Sequence, residues 1–545
     1  MLLRLLLILS LLVACRGSIT PVDPVVDAHS ADSSQDATVD GAVDAGDGGA
    51  PMCTLPFSDS TPIRLLTKYQ YNNAMEDLFG DTSRPLKDDP SAKTGGFDND
   101  ANVLSISSPL VAHYVEAAEN VVSRAALPEC SDSSCVRSSV AEIGERAFRR
   151  PLTSDELDSY VSLYEDALLE NSYPRSMELT IAALLMSPSF LYHWEIGEPD
   201  GVRYRLTSYE LASKLAFALT GTLPDEHLMD AARSGDLHDK DVLIRQAKRL
   251  MATEDYRANA AHMHEQWLEL DKTYSAIKDE TVYPEYSSEV GSDMVEETLQ
   301  FMDQVYVSDG TVSDLFESDF SMLNDNLADY YGVPSVSGGF QKVSRPSGIL
   351  KQGSIMVGQS KFARTSPVHR GIFVRERLMC EVLPEAPDNI PALEEIDPTL
   401  PVRERLRQHR DVDGCRGCHK LMDPIGFAFE AVGPDGKHRA VDEQGNAVED
   451  YGEIYTSGGL PTITFQDGAE LSSVLATDPR VEKCFVKQWF RYVMARKERA
   501  EDACLIDTVY DSVKSQNMRI SQVVLELIQQ DVFQYRSAPE GVVCQ

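Results

Sequence analysis

The chain has 545 residues, with 50 Lys or Arg against 87 Asp or Glu, which gives a formal net charge of −37. This negative charge argues against binding to nucleic acid or to an anionic membrane surface, because both of those partners repel it. The length predicts several domains, and a hydrophobic content of 42% is sufficient for ordinary soluble cores.

Residues 1–14 are typical of a secretory signal peptide. Arg4 supplies the positive start, and the apolar run that ends at Val13 is too short to span a bilayer as a helix. The run leads into Leu-Val-Ala-Cys, which resembles a bacterial lipobox and implies lipidation of Cys15. Because Arg16 follows instead of Asp, we expect an exported lipoprotein of the outer membrane or cell surface. The alternative is an ordinary cleaved signal beside an unrelated cysteine.

Residues 15–52 are predicted to be a lipidated, disordered acidic tether. The segment from Arg16 to Met52 has no aromatic residue and contains seven aspartates. Such a composition cannot bury enough apolar surface to fold. The lipid on Cys15 would then be the chain's only contact with the membrane, in a compartment that permits disulfide bonds.

The folded part begins near Cys53, and its first half is predicted to be helical. Capping boxes begin at Thr67, Thr153 and Thr207, and Pro109 stands at the first position of another helix. The apolar periodicity predicts helices over residues 67–79, 108–126, 136–148, 154–169, 175–187, 207–220, 240–252, 256–270, 284–307 and 323–331. His262 and His264 resemble a metal motif, but residues two apart point to different sides of a helix, so we assign both to packing.

The composition changes after Tyr331, where Gly and Pro become more frequent. We expect an extended Pro-rich linker over 383–401, a short helix over 402–409, a small β element over 437–456, and helices over 470–496 and 503–529. The predicted fold class is mainly α: a multi-helical body with a small β element after a CxxCH segment and a C-terminal helical cap. The predicted modules after the tether are 53–130, 131–195, 196–335, 336–456 (which carries the CxxCH segment) and 457–545.

The CxxCH segment is the strongest chemical motif in the chain. Cys415 and Cys418 lie about one helical turn apart, so their thiols can add to the two vinyl groups of one porphyrin, and His419 can bind its iron. The motif therefore predicts a covalently attached haem c. Two alternatives are a Cys415–Cys418 disulfide, and a zinc site formed by the two cysteines with His409, His419 or both.

The sequence does not select a sixth iron ligand. The candidates are His409, Met422 and His369, with Met356 and Met494 as further possibilities. A five-coordinate iron would suit ligand binding or peroxide chemistry, whereas a distal Met or His would suit electron transfer. Nearby, Arg364, Arg370, Arg375 and Arg377 would either bind haem propionates or neutralise acidic helices.

The remaining cysteines predict disulfide bonds. Cys130 and Cys135 should pair across a tight turn, and Cys484 should pair with Cys504 on the next helix. Setting aside Cys15 and the two motif cysteines, Cys53, Cys380 and Cys544 remain. Their number is odd, so one thiol stays free or pairs between chains.

Several segments together resemble one known family. They are Arg64–Asn73, Phe148–Thr153, Ser187–Tyr192, Tyr209–Leu215, Thr365–Gly371 and Cys415–Glu430. In this order they are similar to the modules of the planctomycete-type cytochrome-C-like multidomain family, which consists of tandem domains of unknown function and is also common in myxobacterial lipoproteins. The resemblance covers about residues 55–538. It implies a cytochrome-like module at the CxxCH segment and assigns no activity to the others. The distal-Met segment of small cytochromes c is missing, so the resemblance supports haem attachment more than electron transfer.

Two functions follow as hypotheses. The first is a cell-envelope lipoprotein with one covalent haem, which serves electron transfer or haem-dependent redox chemistry with an unidentified redox partner or extracellular substrate. The second is a non-enzymatic surface scaffold or polysaccharide-binding lipoprotein, in which Cys415 and Cys418 form a disulfide. A hydrolase is not supported, because the sequence contains no nucleophile elbow.

Overall fold

The computed structural model describes residues 62–87, 96–102, 104, 107–130, 132–384, 397, 399–455 and 461–537, without the side chains of residues 408, 409, 413, 461 and 462. All of these residues belong to one structural unit, Cys53–Gln545. The predicted signal peptide, the lipidation site Cys15, the acidic tether, Cys53, Cys544 and most of the Pro-rich linker lie outside the described residues.

The N-terminal part of the described chain is a helical bundle around one core. Reciprocal capping boxes are present at Thr67 and Thr153, as their Thr-x-x-Gln and Thr-x-x-Glu sequences predict. The core includes Tyr71, Tyr114 and Phe190, and it continues across the predicted module boundary at residue 130. The helices are Lys68–Phe79, Ser108–Arg124, Ser133–Phe148, Ser154–Leu168, Tyr173–Leu185 and Pro188–Leu191, and the strands Arg64–Leu65 and Tyr192–His193 pair antiparallel.

A buried ion cluster connects this bundle to the next helices. Glu195 contacts Arg64 and Lys214, each at 3.1 Å, and all three side chains are less than a tenth exposed. Burial alone would raise the pKa of Glu195, but the two cations outweigh it and hold that pKa well below its ordinary value. The carboxylate is therefore charged, and removal of either cation would leave it incompletely paired in the interior.

The central and C-terminal helices share the largest core, which includes Leu215, Phe301, Trp489 and Phe533. Most predicted helices are present within a few residues of their expected ends, and the helix Glu226–Arg233, capped by Asp225, was not predicted. The central helices are Ser208–Thr220, Glu226–Arg233, Lys240–Leu250, Glu254–Trp267, Asp271–Tyr274, Ser288–Val307 and Asp325–Tyr330, with 3-10 turns at Asp236–His238 and Ser313–Leu315. The C-terminal helices are Gly468–Leu475, Pro479–Met494, Ala503–Lys514, Ile520–Gln529 and Asp531–Gln534, with a 3-10 turn at Ala500–Asp502.

The β structure is sparse and mostly joins distant parts of the chain. Strand Tyr535–Ser537 pairs with Arg203–Arg205, which itself pairs with Glu198–Asp200, so the C-terminal segment is tied to the central body. Strands Ser318–Leu323 and Gln341–Ser347 form a further antiparallel pair that was not predicted. The expected β element over 437–456 is only partly regular: two isolated bridges precede strand Gly452–Tyr455, which pairs with Pro461–Phe465.

A buried carboxylate lies beside the unpredicted strand pair. Glu297 is 3% exposed and accepts hydrogen bonds from Ser321 Oγ at 2.6 Å and from Tyr331 Oη at 3.0 Å. Burial raises the pKa of Glu297 to about 7, because the two hydroxyl donors and the nearby Arg345 only partly offset the loss of water.

The segment that carries the CxxCH motif is helical with short strands at its end. Its helices are Gly353–Gly358, Pro367–Phe373, Val402–Arg405, Arg407–Asp411 and Asp413–Phe427, with a 3-10 turn at Ile349–Lys351 and a π-helical stretch at Val374–Leu378. The single helix expected over 402–409 is thus two short helices. The predicted fold class, mainly α, is confirmed. Among the described helices, none is at once long enough and apolar enough to cross a bilayer.

One of the two predicted disulfides is present in the structure, and the other is not, because one of its cysteines has a different partner. Cys130 and Cys135 are bonded, whereas Cys484 is bonded to Cys380. The predicted Cys484–Cys504 bond is therefore wrong, and Cys504 is part of a different disulfide. The cause is that Cys484 faces the end of the π-helical stretch, next to Cys380, and not the next helix: its Sγ lies 3.4 Å from the carbonyl oxygen of Arg377.

Candidate functional site

The candidate site lies on the helix Asp413–Phe427, which we call the motif helix. Cys415, Cys418 and His419 stand at positions i, i+3 and i+4 of this helix, so they share one face. Pro424 lies inside this helix and does not end it, since the helix continues to Phe427. Pro424 has no N–H, so it cannot donate to the carbonyl four residues before it in the helix. The next carbonyl, that of Leu421, accepts a hydrogen bond of 3.0 Å from Arg375 Nε.

Close contact with a second helix fixes the position of the motif helix. The helix Pro367–Phe373, which we call the crossing helix, packs against it at two glycines. A Cβ atom on Gly426 would lie 1.8 Å from the carbonyl oxygen of Pro367, and one on Gly371 would lie 2.0 Å from that of Met422. Real side chains do not make such contacts, so the two backbones can approach this closely only because both positions lack a side chain.

Both cysteines of the motif are free thiols. Cys415 is buried, at 9% exposure, and the Cys418 thiol donates to the carbonyl oxygen of Pro384 at 3.4 Å. The alternative in which Cys415 and Cys418 form a disulfide is therefore wrong in this structure. Thioether bonds to a porphyrin form from reduced thiols, and here two such thiols lie on one helical face.

His419 is held by a buried carboxylate four residues further along the helix. Its Nδ1 lies 3.1 Å from Asp423 Oδ1 and 3.2 Å from Oδ2, and the two side chains are 17% and 0% exposed. A metal bound by His419 would therefore take Nε2. A ligating histidine whose other ring nitrogen is bonded to a carboxylate is the usual arrangement at protein metal sites.

The described contacts of Met422 and His369 do not place either side chain opposite His419. Met422 is on the same helix, less than one turn beyond His419, so it cannot reach the far side of a ring ligated by His419. His369 Nδ1 lies 2.7 Å from Ser366 Oγ, and its Nε2 lies 3.5 Å from Lys361 Nζ. Burial lowers the pKa of His369. The side chain of His409 lies outside the described residues.

The remaining metal hypotheses gain no support from the described part of the chain. Met356 and Met494 are buried in the large core. No group of three or more His, Cys, Asp or Glu side chains in the described ranges is placed to hold a metal ion. His262 contacts Asp98 at 3.1 Å, whereas His264 contacts Tyr306 Oη at 2.8 Å, so the two imidazoles face different partners.

The nearby arginines serve the fold. Arg370 is 1% exposed and donates to several main-chain carbonyls after the motif helix, among them Val432 at 2.9 Å. Arg375 donates to the carbonyls of Leu421 and Tyr455, and Arg377 Nη2 binds Glu269 at 2.6 Å. These contacts favour a structural role for all three arginines over the binding of haem propionates.

Two buried carboxylates near the motif helix were not identified from the sequence. Asp423 follows His419 at the i+4 spacing, which is a visible signal, but its burial is not encoded in that spacing. Glu430, at 2% exposure, accepts hydrogen bonds from Thr365 Oγ1 at 2.8 Å and Arg439 Nη2 at 3.2 Å. Burial raises the pKa of Glu430 although Arg370 and Arg439 oppose the change.

Comparison with known proteins covers most of the folded chain. Five family models match, each described as a protein of unknown function: DUF1587 over residues 64–127, DUF1595 over 135–195, DUF1592 over 206–333, DUF1588 over 346–452 and DUF1585 over 463–533. No curated protein and no solved structure matches the chain. The model that contains the CxxCH motif carries the name PSCyt3, and none of the five descriptions states an activity. By the identity and order of these modules, the chain belongs to the planctomycete-type cytochrome-C-like multidomain family.

Proposed function

We propose that this protein is a cell-envelope lipoprotein that carries one covalently attached haem c and uses it for electron transfer or haem-dependent redox chemistry. The observation that carries the proposal is the motif helix. It presents two reduced thiols and an imidazole on one face, and that imidazole is already bonded through Nδ1 to a buried carboxylate.

The residues present fit a haem of this kind. Cys415 and Cys418 would form the thioether bonds, and His419 would bind the iron through Nε2. The haem, when bound, would supply one-electron, oxygen or peroxide chemistry. The protein's part is to hold the imidazole in one orientation, through Asp423, and to hold the motif helix in place, through the contacts at Gly371 and Gly426.

The envelope location is proposed from the N-terminal sequence. The signal peptide of residues 1–14 would direct export, and lipidation of Cys15 would anchor the chain through the acidic tether. Export and thioether formation are compatible, because haem is attached to CxxCH motifs outside the bacterial cytoplasm. In cells fed a labelled fatty acid, the wild-type protein should become labelled and Cys15→Ser should not. Equal labelling of both would remove the lipoprotein part of the proposal.

The haem proposal is tested by expression with the bacterial haem-attachment machinery, followed by denaturation. The wild-type polypeptide should retain a haem spectrum after denaturation, because thioether bonds survive unfolding. Cys418→Ala should reduce the retained haem, and His419→Ala should change the Soret band of the native protein. His369→Ala is the matched control, since that histidine contacts Ser366 and Lys361, and it should leave both signals unchanged. A wild-type polypeptide that is colourless after denaturation would disprove haem attachment.

A further inference from the structure

We infer that Asp423 is the positioning residue of the haem site: it holds the His419 imidazole by Nδ1 and places a negative charge behind it, which gives the bound iron a low reduction potential. The inference rests on the proposed function and narrows it. It favours a ferric resting state suited to peroxide chemistry over a high-potential electron carrier.

The geometry of the pair supports this role. Both oxygens of Asp423 are nearly equidistant from Nδ1, at 3.1 and 3.2 Å, so the carboxylate is centred on that nitrogen. The Asp423 side chain is fully buried, whereas that of His419 keeps 17% of its surface exposed. The carboxylate thus lies on the interior side of the ring.

The supporting structure is rigid where the pair requires it. His419 and Asp423 lie one turn apart on a single helix, so their separation is fixed by helical geometry. That helix cannot shift easily against the crossing helix, because backbone atoms meet at Gly426 and Gly371. The neighbouring Ile425 and Phe427 are, like Asp423, fully buried.

Charge provides the physical link to the potential. A hydrogen bond from Nδ1–H to a carboxylate increases the electron density that an imidazole donates through Nε2. A negative charge in dry surroundings also favours the more positive oxidation state of a nearby iron, and it acts more strongly there than in water. A neutral acceptor, such as a main-chain carbonyl, would orient the ring equally well and would have a smaller effect on the potential.

The test compares carboxyl-to-amide changes at two buried residues of the module that contains the CxxCH motif. Asp423→Asn keeps an oxygen that can accept from Nδ1 but removes the charge. Glu430→Gln makes the same chemical change at a buried carboxylate whose partners are Thr365, Arg370 and Arg439. With equal haem content in all three proteins, Asp423→Asn should raise the midpoint potential and lower the iron–histidine stretching frequency of the ferrous protein. Glu430→Gln should leave both at the wild-type values.

A second measurement uses the wild-type protein, so it does not require any variant to fold. Nitrogen NMR of the haem-free wild-type protein at alkaline pH should show the His419 ring proton on Nδ1; a proton on Nε2 overturns the inference. Equal potentials in wild type and Asp423→Asn also overturn it, while the haem proposal stands. If the wild-type protein attaches no haem, both the haem proposal and this inference fail, so the two failures are distinguishable.

Discussion

Replacement of a glycine at the helix contact by alanine should destabilise the protein, although the same change elsewhere on the motif helix should stabilise it. At Gly426 the new Cβ would lie 1.8 Å from the Pro367 carbonyl oxygen, against an ordinary contact of about 3.5 Å. The helices would have to separate by about 1.7 Å, and overpacking of this kind costs about 3 kcal/mol. At Gly417, on the same helix, no atom lies within 4 Å of the added Cβ. Gly417→Ala should therefore stabilise the helix by up to about 1 kcal/mol through its higher helix propensity.

The assay is urea unfolding of both variants beside the wild type, followed by far-ultraviolet circular dichroism. Gly426→Ala should lower the unfolding midpoint and Gly417→Ala should raise it slightly. Gly371→Ala, whose Cβ would lie 2.0 Å from the Met422 carbonyl oxygen, should behave like Gly426→Ala. If both contact variants were as stable as the wild type, the two helices would not be in backbone contact, and the placement of the candidate site would be wrong.

Three further predictions concern buried groups and a disulfide. Because burial raises the pKa of Glu297 to about 7, the folded protein keeps a proton that the unfolded chain releases near pH 4.5. The contribution of this proton to stability is full below pH 4.5 and is lost as pH rises through about 7, by about 3 kcal/mol in total. The urea midpoint of Glu297→Gln should therefore change less between pH 5 and 8 than that of the wild type, and an equal pH dependence would contradict this pKa. Replacement of Cys380 and Cys484 by Ser opens a loop with a sequence separation of 104 and should cost roughly 4 kcal/mol, measured by thermal unfolding; an unchanged midpoint would argue against the bond. Arg370→Met should cost about 3–5 kcal/mol, because it leaves Glu430 and several carbonyls poorly paired; a urea midpoint equal to that of the wild type would refute it.

The helical class and most helix starts were predictable because their causes are local. At Thr67, Thr153 and Thr207 the capping side chain and its partner lie within three residues of each other, so the sequence specifies the contact before any tertiary structure forms. The CxxCH motif was visible for the same reason. Its thiols and imidazole share a helical face by spacing alone.

Features that depend on distant contacts were predicted poorly. Strand Ser318–Leu323 is a strand because it pairs with Gln341–Ser347, across a segment whose glycines suggested irregular chain. Cys484 bonds to Cys380, more than 100 residues away in sequence, and no local pattern distinguishes that partner from Cys504. In each case the choice of partner depends on how the helices pack, and the periodicity of the sequence carries no information about that packing.

The amino-acid sequence by itself determined that this protein is helical and where a haem could be attached, since both follow from residue types at short, fixed spacings. Only the tertiary structure decided that the Asp423 carboxylate beside the imidazole is completely buried and that Gly371 and Gly426 allow two backbones to touch. Burial and close approach arise from residues far apart in the chain, and they determine how strongly a nearby charge acts on the site.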